Sequence, residues 1–455
     1  MKSVALHNLG CKVNAYELDV MRQMLEEGGY RIVPFDEAAD IYIVNTCTVT
    51  NIADRKSRQM LHRAKKQNPD AVVVAVGCYV QTREDICRDS SIDLAIGNNK
   101  KKELLPILEA YLQEREAGMA DQTMGNRIIS DLSRPVPYEE MQLRGTSGHT
   151  RAFLKIQDGC NQFCSYCIIP FARGRVRSRR PEDVYREAEA LADAGYQEIV
   201  LTGIHISSYG MDFIKEQEAA GDLRQEAYRQ GYLLRLIRDL SGIRGLARIR
   251  LGSLEPRIIT EEFAESLAGI REVCPHFHLS LQSGCDATLK RMNRHYLASE
   301  YYEKVKLLRT FFDLPAITTD VIVGFPGESE AEFAETERFL EQVGFYEMHV
   351  FKYSRRQGTA AAAMPDQVPD EVKVRRSERL LELERRQSRR YRESLIGKDA
   401  EILWEEPEDA DGRTYMTGYT REYVRAALLM QEPLSNRLQK RKITGFLQEN
   451  TVLVQ

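Results

Sequence analysis

Residues 159–167 read Gly-Cys-Asn-Gln-Phe-Cys-Ser-Tyr-Cys, which puts Cys160, Cys164 and Cys167 in a CxxxCxxC spacing. Three thiolates so spaced can ligate three irons of a four-iron, four-sulfur cubane and leave the fourth iron open. An open iron on a low-potential cluster can be chelated by the amine and carboxylate of S-adenosylmethionine and pass it an electron, which starts radical chemistry. The competing reading is a closed zinc site, and that needs a fourth ligand at finger-like spacing. The nearest histidines, His149 and His205, do not supply one.

Cys11, Cys47 and Cys78 form a second set. Each follows, within two residues, an apolar run that reads as a strand: 3–9, 41–46 and 72–77. Amphipathic segments separate these runs, so the first 117 residues or so read as a parallel α/β domain. Its three cysteines should emerge at the carboxyl edge of the sheet, where open α/β folds place ligands. Three thiols on one rim again suggest a cluster with an open iron. Cys87, Cys274 and Cys285 have no partner at ligand spacing and read as ordinary thiols.

A polar connector, 118–145, precedes a second series of units. Runs at 151–157, 198–203, 247–251, 277–282, 317–323 and 345–351 read as strands, and 181–194, 232–241, 260–269, 299–312 and 329–342 as helices. Six such units predict a partial, TIM-like (β/α)6 barrel over 146–380, with its chemistry at the C-terminal strand ends. The Cys160 loop directly follows the first strand. Several strand-end residues suit a nucleoside cofactor: Thr202 and Gly203, where backbone can approach a methionyl amine; Ser253 and Glu255, for ribose hydroxyls; and Gln282. Tyr166 offers an aromatic face to adenine, and Asp320 on the fifth strand is a candidate for touching substrate. Residues 211–230 read as a polar surface excursion. From 397 onward, short alternating runs predict a small β-barrel, which with a basic helical connector makes up 381–455.

The chain has 455 residues, 43% of them hydrophobic, enough for about three domains. It shows no basic, apolar leader and no long apolar run, so the cytoplasm is expected and a membrane is not. The net charge of -4 hides local patches. Residues 373–398 carry ten Lys or Arg against four Glu, and Arg173, Arg175, Arg177, Arg179 and Arg180 follow the Cys160 loop. Of these, Arg173 and Arg175 are expected to contact an anionic substrate. Residues 399–455 hold seven basic and ten acidic side chains, although Arg437, Lys440, Arg441 and Lys442 cluster.

Taken in order, these words resemble the radical S-adenosylmethionine methylthiotransferases along nearly the whole chain. Leu9-Gly10-Cys11-Lys12-Val13-Asn14, Asn45-Thr46-Cys47-Thr48-Val49 and Val76-Gly77-Cys78 are similar to the auxiliary-cluster sites of that family, and 159–175 to its radical motif. The C-terminal module resembles a TRAM domain. Cys-Lys-Val-Asn and Cys-Ser-Tyr-Cys-Ile-Ile-Pro-Phe-Ala-Arg-Gly-Arg are most similar to the branch that modifies threonylcarbamoyladenosine in tRNA. The resemblance implies two 4Fe-4S clusters, one on Cys160, Cys164 and Cys167 to cleave S-adenosylmethionine and one on Cys11, Cys47 and Cys78 to carry the inserted sulfur. It also implies methylthiolation at carbon 2 of the adenine at position 37. The partners it implies are a tRNA anticodon stem-loop and a low-potential electron donor such as flavodoxin or ferredoxin. The alternatives are an enzyme acting on isopentenyladenosine or a ribosomal-protein aspartate, and a non-catalytic metal-cluster RNA-binding protein. The 211–230 insert and the acidic balance of the C-terminal module depart from the family pattern.

Overall fold

The structure, a computed structural model, describes residues 1–118, 126–145, 150–216 and 231–455. His149, most of the 211–230 insert and the Cys87 side chain lie outside the described residues.

The N-terminal strands Ser3–Asn8, Ile41–Thr46 and Val72–Gly77 are consecutive neighbours in a parallel six-stranded sheet. They read as unbroken apolar runs because both faces are covered. Val4, Ile43 and Val74 pack into one core cluster, while Ala5, Val44 and Val73 pack into another. Adjacent parallel strands end on the same edge, so Cys11, Cys47 and Cys78 leave the sheet side by side.

The central domain is the expected partial barrel. Strands Arg151–Asp158, Glu198–Gly203 and Arg248–Leu251 pair in parallel, as do His276–His278, Ala316–Val323 and Glu347–Lys352. Isolated bridges Ile249↔Val273 and Leu254↔Leu279 join the two halves. The fourth strand stops at His278, short of the expected residue 282, because the Thr319 hydroxyl donates to the Leu279 carbonyl and accepts from the Leu281 N–H in place of backbone partners; Gln282, with a left-handed φ of 75°, bridges to Val321 again. Alternation sends Ala152, Leu154 and Ile156 outward under the helices and turns Arg151, Phe153, Lys155 and Gln157 to the inner face. The inner face of the other strands is likewise polar, with Glu198, Arg248, Arg250, His276, His278, Thr318, Asp320 and His349. The N-terminal helix Lys12–Glu27 packs against the first two barrel strands.

The C-terminal strands close into a five-stranded barrel around Trp404, Met416, Val424, Ala426, Ile443 and Val452. Its longest unanticipated member, Leu438–Gln448, was hidden by the Lys440-Arg441-Lys442 run, which breaks the apolar alternation. This module docks at the N-terminal ends of the barrel strands: Arg248 donates to the Glu401 carbonyl at 2.6 Å and Arg250 to that of Arg421 at 2.8 Å. The Asp370–Glu393 helix runs unbroken across residue 380. Within the described part of the insert, Met211 and Ile214 are buried against Val176.

Candidate functional site

Cys11 caps the Lys12–Glu27 helix, Cys47 follows its strand directly, and Cys78 opens the short Cys78–Thr82 helix. Gly10 turns the chain with a φ of 108°, and a Cβ there would stand 2.9 Å from Cys47 Cβ, so glycine permits the two cysteines to approach. Burial pushes the Cys47 thiol up to about 11, with Cys78 and Cys11 close enough to add to the shift. Burial likewise raises Cys11, although solvent reaches it. A metal must displace these protons, so the triad is a ligand set that charges on loading.

Cys160, Cys164 and Cys167 lie on the loop after Asp158. Gly159 has a φ of 71°, and a Cβ on it would fall 1.9 Å from the Arg175 carbonyl oxygen. The same close approach lets Cys160 N–H donate to the Gly174 carbonyl at 3.0 Å. Gly159→Ala should therefore deform the loop and lower the iron bound there by half or more, measured as iron per chain after reconstitution; full iron would contradict this. Burial raises Cys167, with Cys164 and Cys160 adding to it. Arg294 Nη1 donates to Cys164 Sγ at 3.4 Å, and the Gln162 N–H approaches Cys160 Sγ at 3.5 Å.

The two sets meet at Arg173. Its helix, Ile169–Arg173, begins two residues after Cys167 and packs on the helix that Cys78 opens. Arg173 Nε donates to Cys78 Sγ at 3.3 Å, Nη1 reaches Glu17 at 2.8 Å and Asp158 at 3.1 Å, and Nη2 reaches Asn14 at 2.6 Å. Lys155 bonds Glu17 and Asp158 at 2.7 Å each, Lys101 bonds Glu17, and Arg177 lies 3.5 Å from Asp158. Burial would raise Glu17, but Arg173, Lys101 and Lys155 outweigh it and hold the carboxyl well below its usual range. Four cations thus face two carboxylates in a buried cluster, an excess of positive charge beside Cys78 and the Cys160 loop.

Thiolates on one zinc ion, at about 2.3 Å each, cannot stand more than about 4.6 Å apart. Among the described residues neither cysteine triad comes together within 4.8 Å, whereas the ligand atoms of His278, Asp320 and His349 do. His278 Nδ1 is 3.0 Å from Thr318 Oγ1 and Nε2 is 3.4 Å from Asp320, which makes a positioned His–Asp pair on the inner face. Lys12 and Arg250 approach the neighbouring His276 and lower its pKa beyond the effect of burial. A dication in this trio would meet that positive field, so we read the trio as part of the polar inner face.

Family profiles match at residues 3–97, described as "Uncharacterized protein family UPF0004", and at 154–340, described as the radical SAM superfamily. The chain is 40% identical to the threonylcarbamoyladenosine tRNA methylthiotransferase MtaB of Bacillus subtilis, covering 97% of this chain and 94% of that protein. The chain belongs to the radical S-adenosylmethionine methylthiotransferases. It is also 37% identical to MtaB of Aquifex aeolicus, over 88% of this chain and 92% of that one. To the tRNA-2-methylthio-N(6)-dimethylallyladenosine synthase of Moorella thermoacetica it is 33% identical, over 97% and 96%. In fold it is similar to the radical S-adenosylmethionine methyltransferase TsrM of Kitasatospora setae, with a TM-score of 0.53 and 17% identity over 79% of this chain and 74% of that one. The cofactors of a radical S-adenosylmethionine methylthiotransferase are 4Fe-4S clusters and S-adenosylmethionine.

Within this methylthiotransferase the other expected contacts divide. Thr202 is buried on the inner face, and Gly203 lies against the Gln157 carbonyl, which a Cβ would approach to 3.0 Å. Ser253 is exposed, whereas Glu255 is buried and paired with Arg257 at 2.6 Å. Gln282 is buried, its N–H donating to the Asp320 carbonyl at 2.9 Å. Tyr166 packs edge-on to Phe325 at 6.4 Å beside the Cys160 loop. Asp320 is half-buried on the inner face.

The arginine expectation needs correction. Arg173 is wholly buried and its guanidinium is taken up by Glu17, Asp158, Asn14 and Cys78, so it cannot also bind a substrate carboxylate. Arg177 is buried near Asp158, and Arg179 pairs with Glu187 and Glu140 at 2.5 Å. Arg175 alone of the two candidates stays exposed, over the Phe163 ring at 4.6 Å. The 373–398 segment is also less free than its charge suggests: Lys373, Arg376 and Arg392 are buried, and Arg379 bonds Glu330 and Glu337. Arg375, Arg386 and Arg390 remain exposed. Sequence reasoning missed Glu17, Asp158, Arg294, His278 and His349. Glu17 lay three residues beyond Asn14 on one helix face, a signal open to reading only once the helix was placed.

Proposed function

We propose that the chain methylthiolates carbon 2 of N6-threonylcarbamoyladenosine at position 37 of tRNA. In this reading Cys160, Cys164 and Cys167 hold one 4Fe-4S cluster and Cys11, Cys47 and Cys78 a second. The observation that carries it is the direct Arg173–Cys78 contact, which joins the radical loop to the second triad. Loaded, the clusters and S-adenosylmethionine supply the electron, the radical and the sulfur, chemistry that no side-chain acid or base provides for an aromatic C–H bond.

The chain's own residues do the rest. Arg173, Lys155 and Lys101 stabilise negative charge at the triads through a buried, preorganised field. Thr202, Gly203, Ser253, Glu255, Gln282 and Tyr166 surround the space for S-adenosylmethionine, and Asp320 faces the target nucleoside. The docked C-terminal barrel closes the opposite, N-terminal end of the barrel strands. Arg175 and the exposed Arg375, Arg386 and Arg390 meet tRNA phosphates. A low-potential flavodoxin or ferredoxin reduces the enzyme in the cytoplasm; no helix among the described residues is long and apolar enough to cross a membrane.

The test is a competition between anticodon stem-loops bearing threonylcarbamoyladenosine or isopentenyladenosine, read by mass spectrometry of the nucleosides. The threonylcarbamoyl substrate should gain the methylthio group. Product on the isopentenyl stem-loop alone would move the chain to the other branch of the family.

A further inference from the structure

Threonylcarbamoyladenosine carries a carboxylate; Arg173 is buried among acids and Arg175 lies over Phe163 on the radical loop, which leaves open which cation stands at the second triad. Lys12 is the first residue of the Lys12–Glu27 helix and follows Cys11 directly. Both are open to solvent. The side chain nevertheless lies inside the protein's field: Arg250, Arg151 and Glu198, all on the inner face of the barrel, are its charged neighbours. It also stands with Arg250, His278 and His349 around His276. The helix packs on the first two barrel strands, and its Glu17 bonds Lys155 on their inner face at 2.7 Å, so Lys12 opens the helix on that side of the barrel.

The other charged groups here are committed. Arg151 pairs with Glu405 at 2.8 Å and lies over the Tyr419 and Tyr423 rings. Arg250 pairs with Glu198 at 2.7 Å, and Arg248 shares that same carboxylate at 3.4 Å. Asp320 faces His278. The Lys12 side chain makes no ion pair or hydrogen bond with any described residue, so one unpaired, solvent-reached cation stands beside a cysteine of the second triad. Carbon 2 and the N6 substituent of adenine flank N1 on one edge of the ring. A group that reads the substituent therefore belongs within a side chain's reach of the sulfur source, and Lys12 is one residue from Cys11.

We propose that Lys12 recognises the carboxylate of the N6 substituent on the target adenine. The proposal rests on the threonylcarbamoyladenosine reading above and assigns to one residue the choice between the two tRNA branches. An ammonium group can equally bind a backbone phosphate, so the test varies the carboxylate itself.

Reconstituted enzyme is given anticodon stem-loops carrying threonylcarbamoyladenosine or its methyl ester, which has the same shape and no charge. Binding constants and kcat/KM are measured for the parent, Lys12→Met and Lys12→Arg, normalised to iron content. The parent should favour the acid over the ester by about tenfold to a hundredfold, the scale of one charge-assisted hydrogen bond. Lys12→Met should erase that preference by losing the acid while keeping the ester, and Lys12→Arg should retain much of it. Equal losses on acid and ester in Lys12→Met would mean a phosphate contact or a damaged Cys11 site, and would overturn the proposal. So would a parent enzyme indifferent to the ester. A parent active only on the isopentenyl stem-loop would instead sink the substrate reading on which the proposal depends.

Discussion

With Cys160, Cys164 and Cys167 all changed to Ala, anaerobically reconstituted protein should hold about half the iron and sulfide of the parent, as one of two Cys-ligated clusters is lost. It should release no 5′-deoxyadenosine from S-adenosylmethionine. Changing Cys11, Cys47 and Cys78 to Ala should also halve the iron, yet leave cleavage in place and abolish the methylthio product. The two variants separate because the triads leave different domains: one from the rim of the N-terminal sheet, the other from the loop after the first barrel strand. Full iron in either variant would refute that cluster's assignment. Methylthio product from the second would refute the sulfur-carrying role of its cysteines.

The second large effect falls on Arg173. Changing it to Met removes one of the two cations that bridge Glu17 and Asp158, both buried, and leaves Lys155 alone between them among the described residues. Breaking one partner of a buried ionic group costs about 3–5 kcal/mol, because the other charges remain desolvated. Lys101, Lys155 and Arg177 still face those carboxylates, which places the expected loss toward the lower end of that range. Iron binding should fall at both triads, since Arg173 touches Cys78 directly and holds Asp158, whose carboxylate accepts the Gly159 N–H at 2.8 Å just before Cys160. Arg173→Lys should rescue little. A lysine restores the charge but not the fork that reaches Cys78, Glu17, Asp158 and Asn14 together. Denaturant unfolding and iron content measure both effects, and a variant equal to the parent in each would show that the cluster is ornamental.

Local pattern carried far in this chain. The apolar runs at 41–46 and 72–77 coincide with strands Ile41–Thr46 and Val72–Gly77, because a strand covered on both faces has no alternative to a continuous apolar stretch. The helix expected at 232–241 is Tyr232–Ser241, since one apolar stripe of Leu233, Leu236, Ile237 and Leu240 fits no other period. Where the pattern failed, a polar side chain overrode it: Lys440-Arg441-Lys442 disguised a strand, and the Thr319 hydroxyl interrupted the ladder after His278.

Spacing in the chain was enough to single out six cysteines, to order them into two triads at strand ends, and to indicate the family. Thiol chemistry is written in residue type and local spacing, and a parallel sheet delivers every strand end to one edge. The fates of the arginines were decided only by tertiary structure. Arg173 and Arg175 sit two residues apart with the same charge, yet one is sealed among Glu17, Asp158 and Asn14 and the other lies open over Phe163. Lys12 was part of a recognised word with no role attached, and it stood out as an unpaired cation beside Cys11 only when the N-terminal helix was laid against the barrel. Whether a charge is a structural tie or a binding group depends on which distant carboxylates the fold brings within about 4 Å, and local sequence does not encode that distance.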